Sequence, residues 1–193
     1  MEEENFSPEQ SLLVIQSMID KTKTSVADNS FYFLLWGWLV FLASIGQYIL
    51  KVIVDTQWHP IVWCVNIIGI VVSAYHGIKE EKKRRVKNYI DESLDYLWIA
   101  IGVAYFLLVI TFVRIGWENC FTFYMMLYGI GSFVTGRLLK FSPLVWGAIA
   151  SWVLAIISTF TSFDINILLC AAAILVSYII PGYLLRKKYK EQL

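Results

Sequence analysis

The fold is decided by residues 61–85, which read IVWCVNIIGIVVSAYHGIKEEKKRR. The first eighteen of these residues include no Lys, Arg, Asp or Glu, and five of the remaining seven are Lys or Arg. A hydrocarbon layer of about 30 Å is crossed by roughly 20 apolar residues in a helix, and clustered cations resist transfer across it. The pattern therefore predicts a transmembrane helix whose C-terminal end stays in the cytoplasm.

Five further apolar segments accompany this one. The chain of 193 residues is 58% hydrophobic and 16% charged, which is far more apolar than a soluble domain. Because unpaired backbone groups are prohibitive in lipid, each segment is predicted to be a helix. The predicted fold class is all-α: a polytopic membrane helix bundle with six transmembrane helices, arranged as three antiparallel hairpins with short outer loops. The predicted segments are 31–50, 60–78, 94–113, 120–139, 143–160 and 165–185.

The uneven distribution of Lys and Arg predicts the orientation of the bundle. Fourteen of these residues lie on one side of the predicted segments, and only Lys51 and Arg114 lie on the other. Cations in short loops are retained in the cytoplasm, so both termini are expected there, in a bacterial inner membrane. Tryptophans, which prefer the headgroup level, agree: Trp36, Trp38, Trp98 and Trp146 mark one level and Trp58, Trp63 and Trp117 the other.

Residues 1–30 form a predicted cytoplasmic segment that contains an amphipathic helix. Ser7-Pro8-Glu9-Gln10 is typical of a helix start, with a capping Ser, a first-turn Pro and a Gln at the capping-box position. This helix could lie in the membrane interface, pack under the bundle or bind a partner. Residues 31–185 are the predicted transmembrane domain, and residues 186–193 are a basic cytoplasmic tail.

Small residues recur at four-residue spacing, which lets membrane helices approach closely. Packing within one chain is favoured over packing between subunits. A Trp near the start of each hairpin and a Ser and a Gly near its end also recur, which fits a triplicated unit around a pseudo-threefold axis or three merely similar hairpins. The predicted helix-packing positions are Gly69, Ser73, Gly77, Ser132, Gly136, Gly147 and Ser151.

Few polar side chains fall inside the predicted segments, and they are the candidates for a polar cavity. Hydrogen bonding between helices is their favoured role, and a cavity that binds a solute is the alternative. His76 has no second His or carboxylate at ligand spacing, so a hydrogen-bonded interfacial role is favoured over proton sensing or ligand binding. The candidate residues are Gln47, Asn66, Tyr75, His76 and Asn119.

Sequence motifs of enzymes are absent. The chain has no H-E-x-x-H, G-x-S-x-G or P-loop, and no pair of intramembrane aspartates. Cys64, Cys120 and Cys170 lie in or beside apolar runs at spacings that match no metal site, so they are expected to pack as small apolar residues. We expect no catalytic residue, metal or cofactor, and no nucleic-acid partner.

Five runs cover much of the chain: SPEQSL from Ser7, FYFLLWGWLVF from Phe31, GWENC from Gly116, LYGIGSFVTGRLLKF from Leu127 and VSYIIPGYLLRKKYK from Val176. Together they resemble an uncharacterised family of six-helix integral membrane proteins from Bacteroidota. No activity is assigned to that family. The resemblance therefore implies an architecture and a location, and no functional residue.

Many packing positions and few buried charges favour a non-catalytic membrane protein with an assembly or regulatory role. Its expected partners are membrane lipids and either a second copy of the chain or another membrane or cytoplasmic protein. The alternative is a small-solute transporter or channel with a cavity between the hairpins. A membrane enzyme acting on lipid or quinone would need a converging acid, base or metal site, which the sequence does not display.

Overall fold

The computed structural model describes residues 30–83 and 89–191. All regular structure within these ranges is helical, in six helices without a strand, so the predicted all-α bundle is confirmed. The predicted amphipathic helix of the N-terminal segment lies outside the described residues. We number the helices α1 (Ser30–Ile53), α2 (59–83), α3 (Tyr89–Ile115), α4 (Cys120–Leu138), α5 (Ser142–Ser158) and α6 (163–191).

Local departures from α-helical geometry occur in three of the described helices. α1 ends in a π turn, Ile49–Ile53, and α6 contains a second one, Leu175–Ile179. α2 begins with a 3₁₀ turn, His59–Cys64, in which Pro60 occupies a first-turn position where its missing N–H costs nothing. A π turn adds a residue to the helix and often marks a functional site. The two π turns carry Lys51 and Tyr178.

The two helices of each predicted hairpin pack against each other in opposite directions. In α1 and α2, Trp36 hydrogen-bonds to Ser73 near one end, and Trp63 hydrogen-bonds to Gln47 near the other. In α3 and α4, the ring pairs Tyr105–Tyr128 and Phe112–Tyr124 run in opposite directions along the chain. α5 and α6 pack against each other and are joined by residues 159–162. All three predicted hairpins are present.

Four of the described helices are long and apolar enough to cross a membrane: Ser30–Ile53, His59–Lys79, Tyr89–Ile115 and Phe163–Lys188. α5 is apolar but has only 17 residues. α4 has 19 residues, and its Tyr, Gly, Ser and Thr side chains and Arg137 make it less apolar than the others. Crossing by α4 and α5 therefore stays a prediction.

α4, α5 and α6 form the centre of the bundle, where small residues allow close approach. A Cβ at Gly129 would lie only 2.1 Å from Nε1 of Trp152, so the indole occupies the space above that glycine. A Cβ at Gly147 would lie 2.5 Å from the carbonyl oxygen of Val176. Helix axes can come this close only where side chains are absent. The contact also puts α5 directly against the π turn of α6.

The predicted helix-packing residues all lie at contacts between helices of the same chain. Gly69 faces Trp36 and Leu39, and Gly77 lies near the hydroxyl of Tyr32. Gly136 faces Leu144 and Val145. Three serines hydrogen-bond across helices: Ser73 accepts from Trp36, Ser132 donates to the Ser177 carbonyl, and Ser151 donates to the Met125 carbonyl.

α2 and α3 lie at the periphery. Only 6% and 11% of their apolar windows are buried, against 56% for α6. Their exposed side chains are mostly large and apolar, such as Ile67, Val71, Phe106 and Ile110. The three hairpins therefore differ in burial, and the pseudo-threefold arrangement that the recurring Trp, Ser and Gly positions suggested stays a prediction.

Candidate functional site

The five residues of the candidate polar cavity do not converge. Tyr75 is 69% exposed on α2, and Asn119 is exposed at the start of α4. Asn66 and His76 are ten residues apart on α2, which is about 15 Å along a helix. Only Gln47 is buried, with 3% of its surface exposed. The described bundle thus distributes these side chains along its length.

His76 lies among aromatic rings at one end of the α1–α2 hairpin. Its ring stacks on Phe31 with centroids 4.1 Å apart, and Tyr32 meets it edge to face at 5.5 Å. Within the described residues, its buried Nδ1 has no hydrogen-bond partner, and neither has the buried Oδ1 of Asn66. His76 is therefore stabilised mainly by ring contacts, and the hydrogen bond that the sequence favoured is not formed at its Nδ1 within the described residues.

The most polar site lies at the opposite end of that hairpin, and we call it the Gln47 cluster: Gln47, Lys51, His59, Trp63 and Asp164. It joins the end of α1, the start of α2 and the start of α6. The sequence placed Lys51 outside the predicted segments but did not pair it with Asp164. Opposite charges at the same predicted membrane level were the signal that could have found this contact.

Gln47 forms two hydrogen bonds, one to Trp63 and one to His59, and the donor in each of them can be identified. The indole Nε1 of Trp63 can only donate, and it lies 2.7 Å from Oε1 of Gln47. The amide nitrogen of Gln47 must then face Nδ1 of His59, 3.2 Å away. Because an amide nitrogen only donates, Nδ1 of His59 must accept. The chain Trp63 to Gln47 to His59 therefore requires an unprotonated Nδ1.

Lys51 joins the first helix to the last. Its Nζ pairs with Oδ1 of Asp164 and lies 5.1 Å from the centroid of the Phe163 ring, where an ammonium is attracted to the ring face. The Lys51 and Asp164 side chains are 30% and 43% exposed. The pair lies between residues 113 positions apart in the chain, so it ties α1 to α6.

Polar side chains next to this cluster hydrogen-bond to one another. Thr122 of α4 and Ser158 of α5 are both buried, with their hydroxyls 2.6 Å apart. Thr161 donates to Oδ1 of Asn166 at 2.6 Å, and Asn166 is 1% exposed. These contacts stabilise the α5–α6 turn and the start of α4.

A second buried cluster is aromatic. Tyr105 of α3, Tyr128 of α4 and Tyr178 of α6 lie near one another, with ring centroids 5.5 Å apart in both the Tyr105–Tyr128 and the Tyr128–Tyr178 pair. Phe33 of α1 lies 4.9 Å from Tyr178. Edge-to-face and tilted aromatic contacts are favourable beyond simple burial. This cluster connects four helices in the middle of the bundle.

The described His, Cys, Asp and Glu side chains are dispersed. No group of three or more His, Cys, Asp and Glu side chains lies close enough together to hold a metal ion in those ranges. Cys120 and Cys170 are buried and Cys64 is exposed, all three as free thiols.

Taken together, the fold and its polar contacts define a class: an all-α helix bundle with several membrane-compatible helices, in which polar side chains join helices to one another. No protein-family model, curated protein or solved structure matches the chain. The resemblance to a Bacteroidota family stays a prediction.

Proposed function

We propose that this protein is a non-catalytic, multi-pass protein of the bacterial inner membrane that assembles with a second copy or another membrane protein. All six helices cross the bilayer in this proposal, and both termini lie in the cytoplasm. The main support is that polar side chains inside the bundle form hydrogen bonds between helices. Ser132, Ser151 and Trp152 donate to backbone carbonyls of neighbouring helices, and Gln47 is used twice within the bundle.

The distribution of cations supports the orientation. The two ends of the bundle differ in the described residues: Lys51 and Arg114 lie at the Gln47 end, and Lys51 is already paired with Asp164. The end at which α2, α4 and α6 finish, here called the Arg137 end, is retained in the cytoplasm under the positive-inside rule. The cations at this end include Lys79, Lys82, Arg137, Lys140, Arg186, Lys187 and Lys188.

The packing of α4 and α5 supports their crossing although they are less suited to lipid by composition or length. α4 contacts α3, α5 and α6, and its Thr122, Tyr128, Ser132 and Thr135 side chains are buried in the bundle, whereas Arg137 near its end is exposed. The 17 residues of α5 span about 26 Å, close to the thickness of the hydrocarbon layer. Helices shielded by neighbours tolerate polar residues better than helices surrounded by lipid.

Cysteine labelling in spheroplasts tests the orientation. The background is Cys64→Ser, because Cys120 and Cys170 are buried, and the probes are Glu118→Cys at the Gln47 end and Lys82→Cys at the Arg137 end, both exposed. A membrane-impermeant maleimide should label Glu118→Cys at once and Lys82→Cys only after permeabilisation. The reverse order would reject the proposed orientation.

Disulfide cross-linking in native membranes tests the assembly. Exposed positions on the peripheral helices, Val71 of α2 and Val103 of α3, are the sites for single cysteines, and exposed Ile156 of α5 is the matched control. A self-assembling protein should form dimers through position 71 or 103 and not through 156. A different partner should copurify in mild detergent at a defined stoichiometry. A monomer without either would contradict the proposal.

A further inference from the structure

The Arg137 end contains a cavity that neither the hairpin packing nor the proposed assembly uses. Its volume is about 300 Å³, at the small end of the range for ligand pockets. It lies where α4 turns into α5. The lining residues are Gly136, Arg137, Lys140, Phe141, Ser142 and Val145.

Two cations face this cavity without a partner. Within the ranges that the structure describes, neither Arg137 nor Lys140 forms an ion pair or a side-chain hydrogen bond. A third cation lies nearby, because Nζ of Lys188 is 5.4 Å from the centroid of the Phe141 ring. Side chains from both α4 and α6 therefore make this corner of the bundle positive.

The backbone around the cavity also favours an anion. Three carbonyls in the last turn of α4 are already satisfied, since Leu139, Lys140 and Phe141 donate their N–H groups to Thr135, Arg137 and Gly136. α5 begins at Ser142 with no side-chain cap and no acidic residue in its first turn. The positive end of its dipole is thus open to a negative charge.

Lys140 occupies a backbone conformation that does not suit lysine. Its φ is 50°, the left-handed conformation at a helix C-terminus that is usually filled by Gly or Asn. Glycine would adopt this conformation more easily, but the chain has a charged lysine here. The strain is consistent with a role for that charge at the cavity.

An apolar path leads away from the cavity along α5. Val145 lines the cavity, and Ile149 and Val153 follow at four-residue spacing, both exposed. Residues four apart share one face of a helix. Trp146, 70% exposed, lies at the same level, as tryptophans do near lipid headgroups. A molecule with a phosphate and acyl chains would match this arrangement, with the phosphate in the cationic cavity and the chains on the apolar face of α5.

We infer that Arg137, Lys140 and Ser142 bind the phosphate of an anionic phospholipid headgroup, whose acyl chains lie along the Ile149 and Val153 face of α5. The inference rests on the proposed membrane insertion. Basic pockets between helices at the cytoplasmic side bind anionic headgroups in this way, and the size of the cavity suits a headgroup rather than a whole lipid.

Native mass spectrometry of the full-length protein in detergent tests the inference, with phosphatidylglycerol and phosphatidylcholine as probes. Phosphatidylglycerol should bind more tightly, and Arg137→Gln and Lys140→Gly should each weaken it about fivefold. Lys82→Gln is the matched control, because Lys82 is an exposed cation at the same end that does not line the cavity. It should leave binding unchanged.

Three results would overturn the inference. Equal affinity for the two lipids would show that the site does not select an anionic headgroup. An equal loss of phosphatidylglycerol affinity in the Lys82→Gln control would show that binding depends on general surface charge. Inorganic phosphate that binds alone and displaces phosphatidylglycerol would identify free phosphate as the ligand. Because both ends of the protein are accessible in detergent, the binding result is independent of the labelling experiment that tests the orientation.

Discussion

At the scale of single residues, Gln47 occupies a position that requires both a donor and an acceptor. The indole Nε1 of Trp63 donates to Oε1 of Gln47, and the amide Nε2 of Gln47 donates to Nδ1 of His59. A carboxylate would accept from Trp63 but could not donate to Nδ1 of His59, and a hydroxyl is too short to reach both. An amide is the side chain that satisfies the two neighbours at once.

Replacing Gln47 by Leu should destabilise the bundle by about 1–2 kcal/mol, because it leaves the half-buried partners of the amide, Trp63 and His59, without their hydrogen bonds. SDS-induced unfolding in mixed micelles measures this loss. Trp63→Phe is the matched variant, since it removes one of the two bonds. The loss caused by Gln47→Leu should be smaller in the Trp63→Phe background, and strictly additive losses would contradict the hydrogen-bond chain.

The left-handed conformation of Lys140 predicts an unusual gain. Lys140→Gly should stabilise the lipid-free protein by about 0.5–1 kcal/mol, because glycine adopts a φ of 50° without steric cost. Lys140→Ala is the control, and it should give no such gain because alanine keeps a Cβ. The same unfolding assay measures both, and a loss of stability in Lys140→Gly would show that the backbone is not strained there.

At the scale of helices, the π turn of α6 and the small residues of α5 form one contact. The carbonyl oxygen of Val176 and the Cα of Ser177 would lie 2.5 and 2.9 Å from a Cβ at Gly147. Both neighbours are backbone atoms, so a larger residue cannot be accommodated by a rotamer change. The two helices must separate, or the π turn must change its geometry.

Gly147→Ala should therefore destabilise the protein by about 1–3 kcal/mol. Gly102→Ala is the matched control, because a Cβ at Gly102 of α3 would have no neighbouring atom within 4 Å. It should be neutral or stabilising by up to about 1 kcal/mol through helix propensity. Thermal unfolding followed by size-exclusion chromatography separates these outcomes, and equal effects at the two positions would argue against close α5–α6 packing.

At the scale of the whole molecule, burial is concentrated in α4, α5 and α6, while α2 and α3 face outward. Ile174 of α6 has no exposed surface, and Ile110 of α3 is 54% exposed. The same substitution at these positions therefore compares the centre of the bundle with its periphery.

Ile174→Ala should cost about 2–5 kcal/mol through lost burial and the cavity it leaves. Ile110→Ala should cost well under 1 kcal/mol, because its side chain contacts lipid or detergent in both states. Unfolding by SDS measures the difference between the two variants. A large loss from Ile110→Ala in native membranes, absent in detergent, would point to a partner on the α3 face.

The helix bounds could be predicted well for a physical reason that acts locally. Segments 120–139 and 143–160 were expected, and the structure has Cys120–Leu138 and Ser142–Ser158. α3 begins before the predicted apolar segment 94–113, at Tyr89, because Asp91 and Glu92 lie in its first turn and suit the positive end of a helix dipole. Hydropathy does not show such polar extensions.

The candidate site could be predicted only in part. Gln47 was correctly selected as a polar residue, but its partners His59 and Trp63 were not. Tyr75 was selected as well and faces outward. A single sequence shows how polar a side chain is and the level at which it lies, whereas the face it takes depends on the rotation of each helix, which packing sets.

The sequence by itself determined that the chain forms apolar helices in antiparallel hairpins, because each helix satisfies its own backbone hydrogen bonds and short loops leave no other arrangement. Only the tertiary structure decided that α4 is central, that Lys51 meets Asp164, and that Arg137 and Lys140 share a cavity. The first two outcomes depend on how particular helix faces approach, since such contacts join residues far apart in the chain, and the third depends on the geometry of the turn between α4 and α5.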